Sequence, residues 1–497
     1  MLKNRFLLFC TLAVFLLTPL EKAAGRSDGK DLESSFGSRS SNEVSKNSLT
    51  GSNHALENGK GNVLSQIYYV KGVRSLNEKE YSEAIAKFKK ALEISPESKK
   101  IKRALATALN NYSQSLPDGE IERSIELIEE AIEVQPQEEL LKKNLAVNYT
   151  NYGVKLQGEG DLDGAIEQFE KSIDLYPQED KYRKNLGMAL DYKANGYFKK
   201  GEFERAIRVF SKARQYIPDN FYLWIMLGES YYRLDKLEEA IDCWEEAEKL
   251  SPENKILKQK LAKAKKEWPV QKDFRKFSSS YFQINFSPDF SRDKAYEVYN
   301  YVKEAIWSIG RDFGVYPKEK FSVFVYQSGE FNEIFDPREH LAGVYDGKVH
   351  LHINERTTSE RMSEIIRHEY THAVIFWITQ GRCPVWFNEG LACFEEKKDK
   401  PVDFSSLKKL ARQNKLVPLS ELSAACYNLK NLGLANLAYK EAHNLVKYII
   451  AEYGFWQVKR MLALFGEGKK EPDIIKEVLR IDSETLEGDW QKKLLYE

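Results

Sequence analysis

The spacing of apolar positions changes character several times along the chain. Between Phe6 and Leu17 they run almost unbroken behind Lys3 and Arg5. That run is too short for the roughly 20 residues of a membrane-spanning helix and suits the core of a secretory signal. Residues 26–62 are rich in Ser, Gly and Asn and almost empty of aromatic or branched apolar side chains. Such a stretch buries too little surface to offset the entropy of ordering, and it is predicted as a disordered linker. From residue 63 the spacing turns helical. After Pro269 come short stretches with strand character, Tyr281–Phe286, Phe321–Tyr326, Ala342–Tyr345 and Lys348–Ile353, with an amphipathic helix over Lys294–Phe313. Asp346-Gly347 between the last two strands signals a two-residue hairpin, and beyond residue 353 the pattern is helical almost throughout.

The helical stretch is periodic. Pro96, Pro136, Pro177, Pro218 and Pro252 each follow a small residue by twelve positions (Ala84, Ser124, Ala165, Ala206, Ala240) and a bulky one by eight (Phe88, Ile128, Phe169, Phe210, Trp244). Small residues let two helices approach, bulky ones fill the groove between successive pairs, and proline stops the second helix. The copy from Phe221 to Pro252 adds Trp224, Leu227, Gly228, Tyr231 and Ala247, and resembles the tetratricopeptide repeat. Five repeats are predicted over 63–268, with the Lys-rich segment Lys255–Lys266 as a solvated capping helix. The prolines are 40, 41, 41 and 34 residues apart, so the earlier units carry about two extra helical turns.

Charge and cysteine content narrow the role. The chain has 497 residues, with 75 Lys and Arg against 75 Asp and Glu, so no global basic field argues for a nucleic-acid partner. Residues 1–25 read as a signal peptide and direct the chain to export, periplasmic or secreted. No membrane span remains after cleavage, although Lys22 sits badly for a cut after Ala24 and an uncleaved signal would anchor the chain. Cys383, Cys393 and Cys426 are either one disulfide and a spare thiol or three free thiols.

Candidate chemistry lies in the helix after the hairpin, which is predicted to start at Thr357 with Glu360 in capping-box spacing and to stop near Gly381. It carries His368-Glu369-Tyr370-Thr371-His372. Two imidazoles four apart share a helix face and can converge on one zinc ion, while Glu369, about a quarter turn away, can hold a water beside it. With seven His in the chain, about 0.01 such matches are expected by chance. A third ligand is available 17 positions on, at Glu389 of Trp386-Phe387-Asn388-Glu389-Gly390-Leu391-Ala392.

His-Glu-x-x-His followed by Asn-Glu-Gly-Leu-Ala resembles the gluzincin metallopeptidases, and residues 274–497 resemble the peptidase MA-like domains often attached to tetratricopeptide repeats. The resemblance implies a mainly α chain, an N-terminal tetratricopeptide α-solenoid followed by an α+β zincin-like metallopeptidase domain. It implies one Zn2+ on His368, His372 and Glu389, with Glu369 as general base and proton carrier. A Tyr-led helix follows the metal motifs in that family, and Tyr439-Lys440-Glu441-Ala442-His443 fits it. Tyr439 is then either the oxyanion donor or a packed core tyrosine, and His443 is more simply a core residue. His350 and His352 alternate on a strand and are read as cleft or surface residues rather than as a second metal site. The segment from Gly343 to Val349 looks like the edge hairpin along which gluzincins lay substrate backbone.

Two departures matter. Thermolysin-like relatives carry an Asp four residues after the third ligand, where this chain has Cys393, so the partner that orients a zinc-bound His must come from elsewhere. The Gly-Ala-Met-Glu-Asn segment of aminopeptidase relatives is absent, which favours an endopeptidase. The expected function is an exported zinc metallopeptidase, hydrolysing peptide bonds of a peptide or protein substrate, with the repeats as a module for docking a protein partner. The alternative is an exported tetratricopeptide scaffold whose peptidase-like domain is inactive and stabilised by zinc.

Overall fold

The computed structural model describes residues 53–318, 320–335, 343–398, 400–428 and 431–496. The signal segment, most of the linker and Ala342 lie outside them. The described chain forms two compact units, one of residues 53–192 with 215–217, the other of 193–214 with 218–496.

The first unit is a run of antiparallel helices. They are α1 (Asn53–Asn77), α2 (Tyr81–Ile94), α3 (Lys99–Ser115), α4 (Ile121–Val134), α5 (Glu139–Glu159), α6 (Leu162–Leu175) and the greater part of α7 (Asp180–Lys199). α1 begins ten residues ahead of the predicted boundary, since helix propagates from a formed turn at the cost of fixing one residue per hydrogen bond. The periodic residues are buried as their spacing requires, with Ala84, Phe88, Ala165 and Phe169 fully so. Ser124 is buried too and hydrogen-bonds Ser113 at 2.5 Å, which satisfies two hydroxyls where other repeats use alanine. The extra length between prolines goes into the first helix of each pair: α5 has 21 residues, against 13 in the helix Phe221–Arg233 of the second unit.

The second unit continues the repeats with α8 (Phe203–Ala213), α9 (Phe221–Arg233) and α10 (Leu237–Leu250), closed by α11 (Lys255–Gln271). α11 runs through Pro269, past the predicted stop. Proline there removes one backbone bond near the helix end, while Gln271 beyond it donates a buried hydrogen bond to the Tyr326 hydroxyl at 2.7 Å. The lysines of α11 are not all solvated: Lys263 is buried and paired with Glu267 and Asp346, and Lys260 with Glu229.

A five-stranded sheet follows. Its strands are β1 (Arg275–Ser278), β2 (Phe282–Phe286), β3 (Phe321–Tyr326), β4 (Gly343–Tyr345) and β5 (Val349–His352), in the order β1-β2-β3-β5-β4. β2, β3 and β5 are parallel, with α12 (Arg292–Phe313) crossing between β2 and β3, and the two edge strands are antiparallel. β1 carries no apolar alternation and lies outside the predicted strands, as the short α13 (Ser328–Ile334) lies outside the predicted helices. Tyr345 pairs with Val349, so the hairpin loop holds three residues rather than two, with Gly347 at φ +117°. Alternation divides the sheet's side chains. Val323, Val325, Val349 and Leu351 join the main core with α12, while Phe324 and Tyr326 face a second cluster with Phe331, Phe335 and, from beyond α11, Phe274.

The rest is helical: α14 (Ser359–Thr379), α15 (Val385–Glu396), α16 (Ser405–Arg412), α17 (Leu419–Cys426), α18 (Leu432–Tyr453), α19 (Phe455–Gly466), α20 (Glu471–Leu479) and α21 (Ser483–Tyr496). Cys243, Cys383, Cys393 and Cys426 are free thiols. Among the described residues no helix is long and apolar enough to cross a membrane.

Candidate active site

α14 starts one residue later than predicted. Thr358 is its cap, accepting a hydrogen bond from the Arg361 backbone at 3.2 Å, while Thr357 closes a turn on Asn354. The helix ends at Gln380 in the left-handed region, followed by Gly381 at φ +76°. His368, Glu369 and His372 therefore sit in its regular middle. α15 returns with Asn388 and Glu389 in its first turns, close against α18. A Cβ on Gly390 would lie 2.5 Å from the Ala442 carbonyl oxygen, so only glycine allows this crossing. Arg367 of α14 ties the two helices further, donating to the Glu395 backbone carbonyl at 2.6 Å and pairing with its buried carboxylate at 3.1 Å.

The packing brings the three expected ligands together. His368 Nε2 and His372 Nε2 each lie 3.6 Å from the same Glu389 Oε2. Ligand atoms of a tetrahedral zinc with bonds of about 2.1 Å stand about 3.4 Å apart, so the set fits a single ion. The opposite ring nitrogens are both engaged. His368 Nδ1–H donates to Glu396 Oε2 and His372 Nδ1–H to Asn388 Oδ1, each at 3.0 Å. These bonds leave the Nε2 lone pairs directed at the shared position.

Sequence reasoning missed Glu396. It takes the orienting role on His368, beside Cys393, and it stands seven residues after Glu389, two turns along the same face of α15. That spacing is the signal by which it can be found. Its second oxygen accepts from Arg361 at 3.0 Å. Burial opposes its charge, but the His368 hydrogen bond and nearby cations hold its carboxyl down at about 2. His368 is half-buried, and hydrogen bonds with Cys393, Glu389 and Glu396 outweigh its lost hydration to hold it well above the usual imidazole range. Burial pushes His372 down. Glu389, despite its burial, is held below the usual range by the two imidazoles.

Glu369 points elsewhere. It is buried, and burial pushes its carboxyl up to about 8. A Cβ on Gly343 would lie 2.5 Å from Glu369 Cγ, so the edge strand β4 passes directly over this side chain. Tyr439 is half-buried on α18, one turn before His443. His443 is buried edge-on to Phe404, and burial pushes it down to about 4. His350 is neither a cleft nor a surface residue. It is fully buried, stacked on Phe324 and Tyr326, with Nδ1 2.8 Å from the Tyr326 hydroxyl and Nε2 3.0 Å from Asp346 Oδ1. His352 is half-buried, 2.9 Å from the Ser328 hydroxyl.

The sequence matches the Peptidase MA superfamily over residues 302–496 and the tetratricopeptide repeat over 65–98 and 221–254. The C-terminal region is a Peptidase MA superfamily domain. Tetratricopeptide repeats precede it. No curated protein matches the chain. Among solved structures, a thermophilic TPR protein of Thermus thermophilus is 19% identical, covering 40% of this chain and 98% of its own, with a TM-score of 0.16. The first TPR of Spaghetti (RPAP3), bound to an HSP90 peptide, is 24% identical over 25% of this chain and 93% of its own, TM-score 0.19. YrrB, a TPR protein with an unusual peptide-binding site, is 16% identical over 42% and 95%, TM-score 0.19.

Proposed function

We propose that the Peptidase MA domain of this chain is a zinc-dependent endopeptidase, exported by its N-terminal signal and directed to partners by its repeats. The observation that carries this reading is the convergence of His368 Nε2, His372 Nε2 and Glu389 Oε2, with Glu369 on the same helix as the two histidines. A zinc ion bound there would polarise a peptide carbonyl and acidify a water.

The chain's own groups do the rest. Glu396 and Asn388 fix the two imidazoles, so the donor set needs little rearrangement. β4 is the outermost strand of the sheet, so one row of its backbone groups is open to pair with an extended peptide. Such a peptide lies over Glu369, because Gly343 leaves no side chain between them. Glu369, directly beneath β4, is the carboxyl group assigned to carry the proton. It takes a proton from the attacking water and returns it to the departing amine. Tyr439 is assigned as the donor to the oxyanion.

The test is the metal content of the protein comprising residues 25–497, prepared without chelator, beside that of Glu389→Ala, with casein hydrolysis followed in parallel. One zinc per chain, weakened in Glu389→Ala, together with hydrolysis that Glu369→Gln removes, is the expected result. No zinc after zinc is supplied and dialysed away would overturn the reading. Zinc without hydrolysis would leave a zinc-stabilised scaffold.

A further inference from the structure

β4 starts against Glu369 and leads to the hairpin loop, where Gly347 packs over the Arg233 guanidinium. Beside Gly347 opens a cavity of about 380 Å3 that the catalytic residues do not line. Its size falls near the lower end of the roughly 300–1,000 Å3 of small-molecule sites. The walls are apolar and largely aromatic: Phe198 and Phe203 from the fourth repeat, Phe321 from β3, and Phe376 and Trp377 from the last turn of α14.

Among the described residues its charged groups have one sign. Lys199, Lys200, Lys318 and Lys320 line it and are exposed, and among the described residues no carboxylate does. Arg233 also lines the cavity and is only 5% exposed. Its guanidinium lies 4.6 Å from the Phe376 ring centroid, donating to Glu229 at 2.9 Å and to the Tyr345 hydroxyl at 3.2 Å. Those bonds use two of five N–H groups. Partial loss of hydration and the nearby Arg382 make the Lys199 ammonium easier to deprotonate, so an arriving anion would relieve a repulsion already present.

Aromatic walls select a large apolar group, and a ring of cations selects negative charge around it. Position selects a peptide to carry both. Gly343 opens β4 and Gly347 stands four residues on, in the hairpin loop that follows the strand, so a peptide paired along β4 over Glu369 and continued past the end of the strand reaches the cavity. We propose that this cavity is a substrate pocket for a large apolar side chain flanked by carboxylates, about four residues from the cleaved bond. It deepens the peptidase reading above and rests on it.

Binding can be tested without hydrolysis, using the full chain carrying Glu369→Gln. The probes are fluorescein-labelled Glu-Asp-Phe-Glu-Asp, its Phe-to-Ala analogue and its Lys-Lys-Phe-Lys-Lys counterpart, read by fluorescence anisotropy. The acidic Phe peptide is expected to bind at least about tenfold more tightly than either analogue. Reversing two exposed charges with Lys199→Glu and Lys200→Glu, which leaves the core untouched, is expected to remove that preference. Equal binding of the three peptides overturns the proposal, as does a preference that survives charge reversal. Laurate binding in place of the acidic peptide would assign the cavity to a free acyl anion and overturn it as well. The two readings fail separately. Casein cleavage by the wild-type chain with no peptide preference would remove the pocket alone, and selective binding without cleavage would remove the peptidase alone.

Discussion

Among the described residues of the second unit, two of the three groups close enough to share an ion consist of histidine and carboxylate alone: His368, His372 and Glu389, and the more deeply buried Glu267, Asp346 and His350. They are built from the same residue types and differ in what lies among them. In the second group the Lys263 ammonium is hydrogen-bonded to both Glu267 and Asp346, and the Tyr232 hydroxyl joins it. Burial opposes charge on Asp346, but Lys263 and His350 outweigh it and hold the carboxyl well below the usual range. That group contains its own cation and locks the hairpin onto α11. In the first group no lysine or arginine among the described residues pairs with Glu389, and both imidazoles turn Nε2 toward one carboxylate oxygen. Residue type therefore does not separate the two clusters; the presence of an internal cation does.

The contrast between the two clusters is most exposed to failure at the base. Glu369→Gln is expected to lower turnover by about 10²- to 10⁴-fold with zinc content unchanged, measured on one preparation. Retained turnover would remove Glu369 from its role. Next comes the structural cluster. Lys263→Met leaves Glu267 and Asp346 buried without their cation and is expected to cost about 3–5 kcal/mol, read by urea unfolding, while zinc per folded chain stays the same. A variant that lost zinc instead would make the two clusters one system. Third, Glu396→Gln weakens the anchor of His368 and is expected to reduce zinc affinity about 10- to 100-fold in a chelator competition, with the fold intact.

A third kind of buried carboxylate extends the contrast. Glu441 is fully buried on α18, accepts hydrogen bonds from the Val417 backbone, and is pushed by burial up to about 8. Its folded pKa lies above its unfolded one, so the fold favours the neutral acid. The stability it contributes is full below about pH 4.5 and is lost as pH rises through about 8, at most about 1.4 kcal/mol per pH unit. Glu441→Gln is expected to flatten that alkaline decline in denaturant unfolding across pH 5–9. An unchanged slope would show that Glu441 is not its source.

Much of this is legible in the sequence. The prolines and the residues eight and twelve positions before them locate every helix pair, because neighbouring helices in a repeat meet through contacts local in sequence. His368, His372 and Glu389 are legible because two lie on one helix face and the third follows after a single turn. What escapes depends on distance along the chain or on a missing pattern. β1, short and largely exposed, has no alternation to read. His350 reads as a cleft or surface residue because strand alternation tells that two side chains share a face but not what covers it. That cover is α11, about 80 residues earlier, through Lys263 and Gln271.

Local spacing is thus enough to set the elements, the repeat period and the donor set, since each follows from positions within one helix or one turn. Long-range packing was needed to establish that Glu396 and Asn388 orient the imidazoles, that Lys263 neutralises the other cluster, and that β4 passes over Glu369 toward an aromatic cavity with a cationic rim. Those facts depend on which helices cross and how closely, as at Gly390 against Ala442. Such crossings are settled by the packing of the whole core, not by any local run of residues.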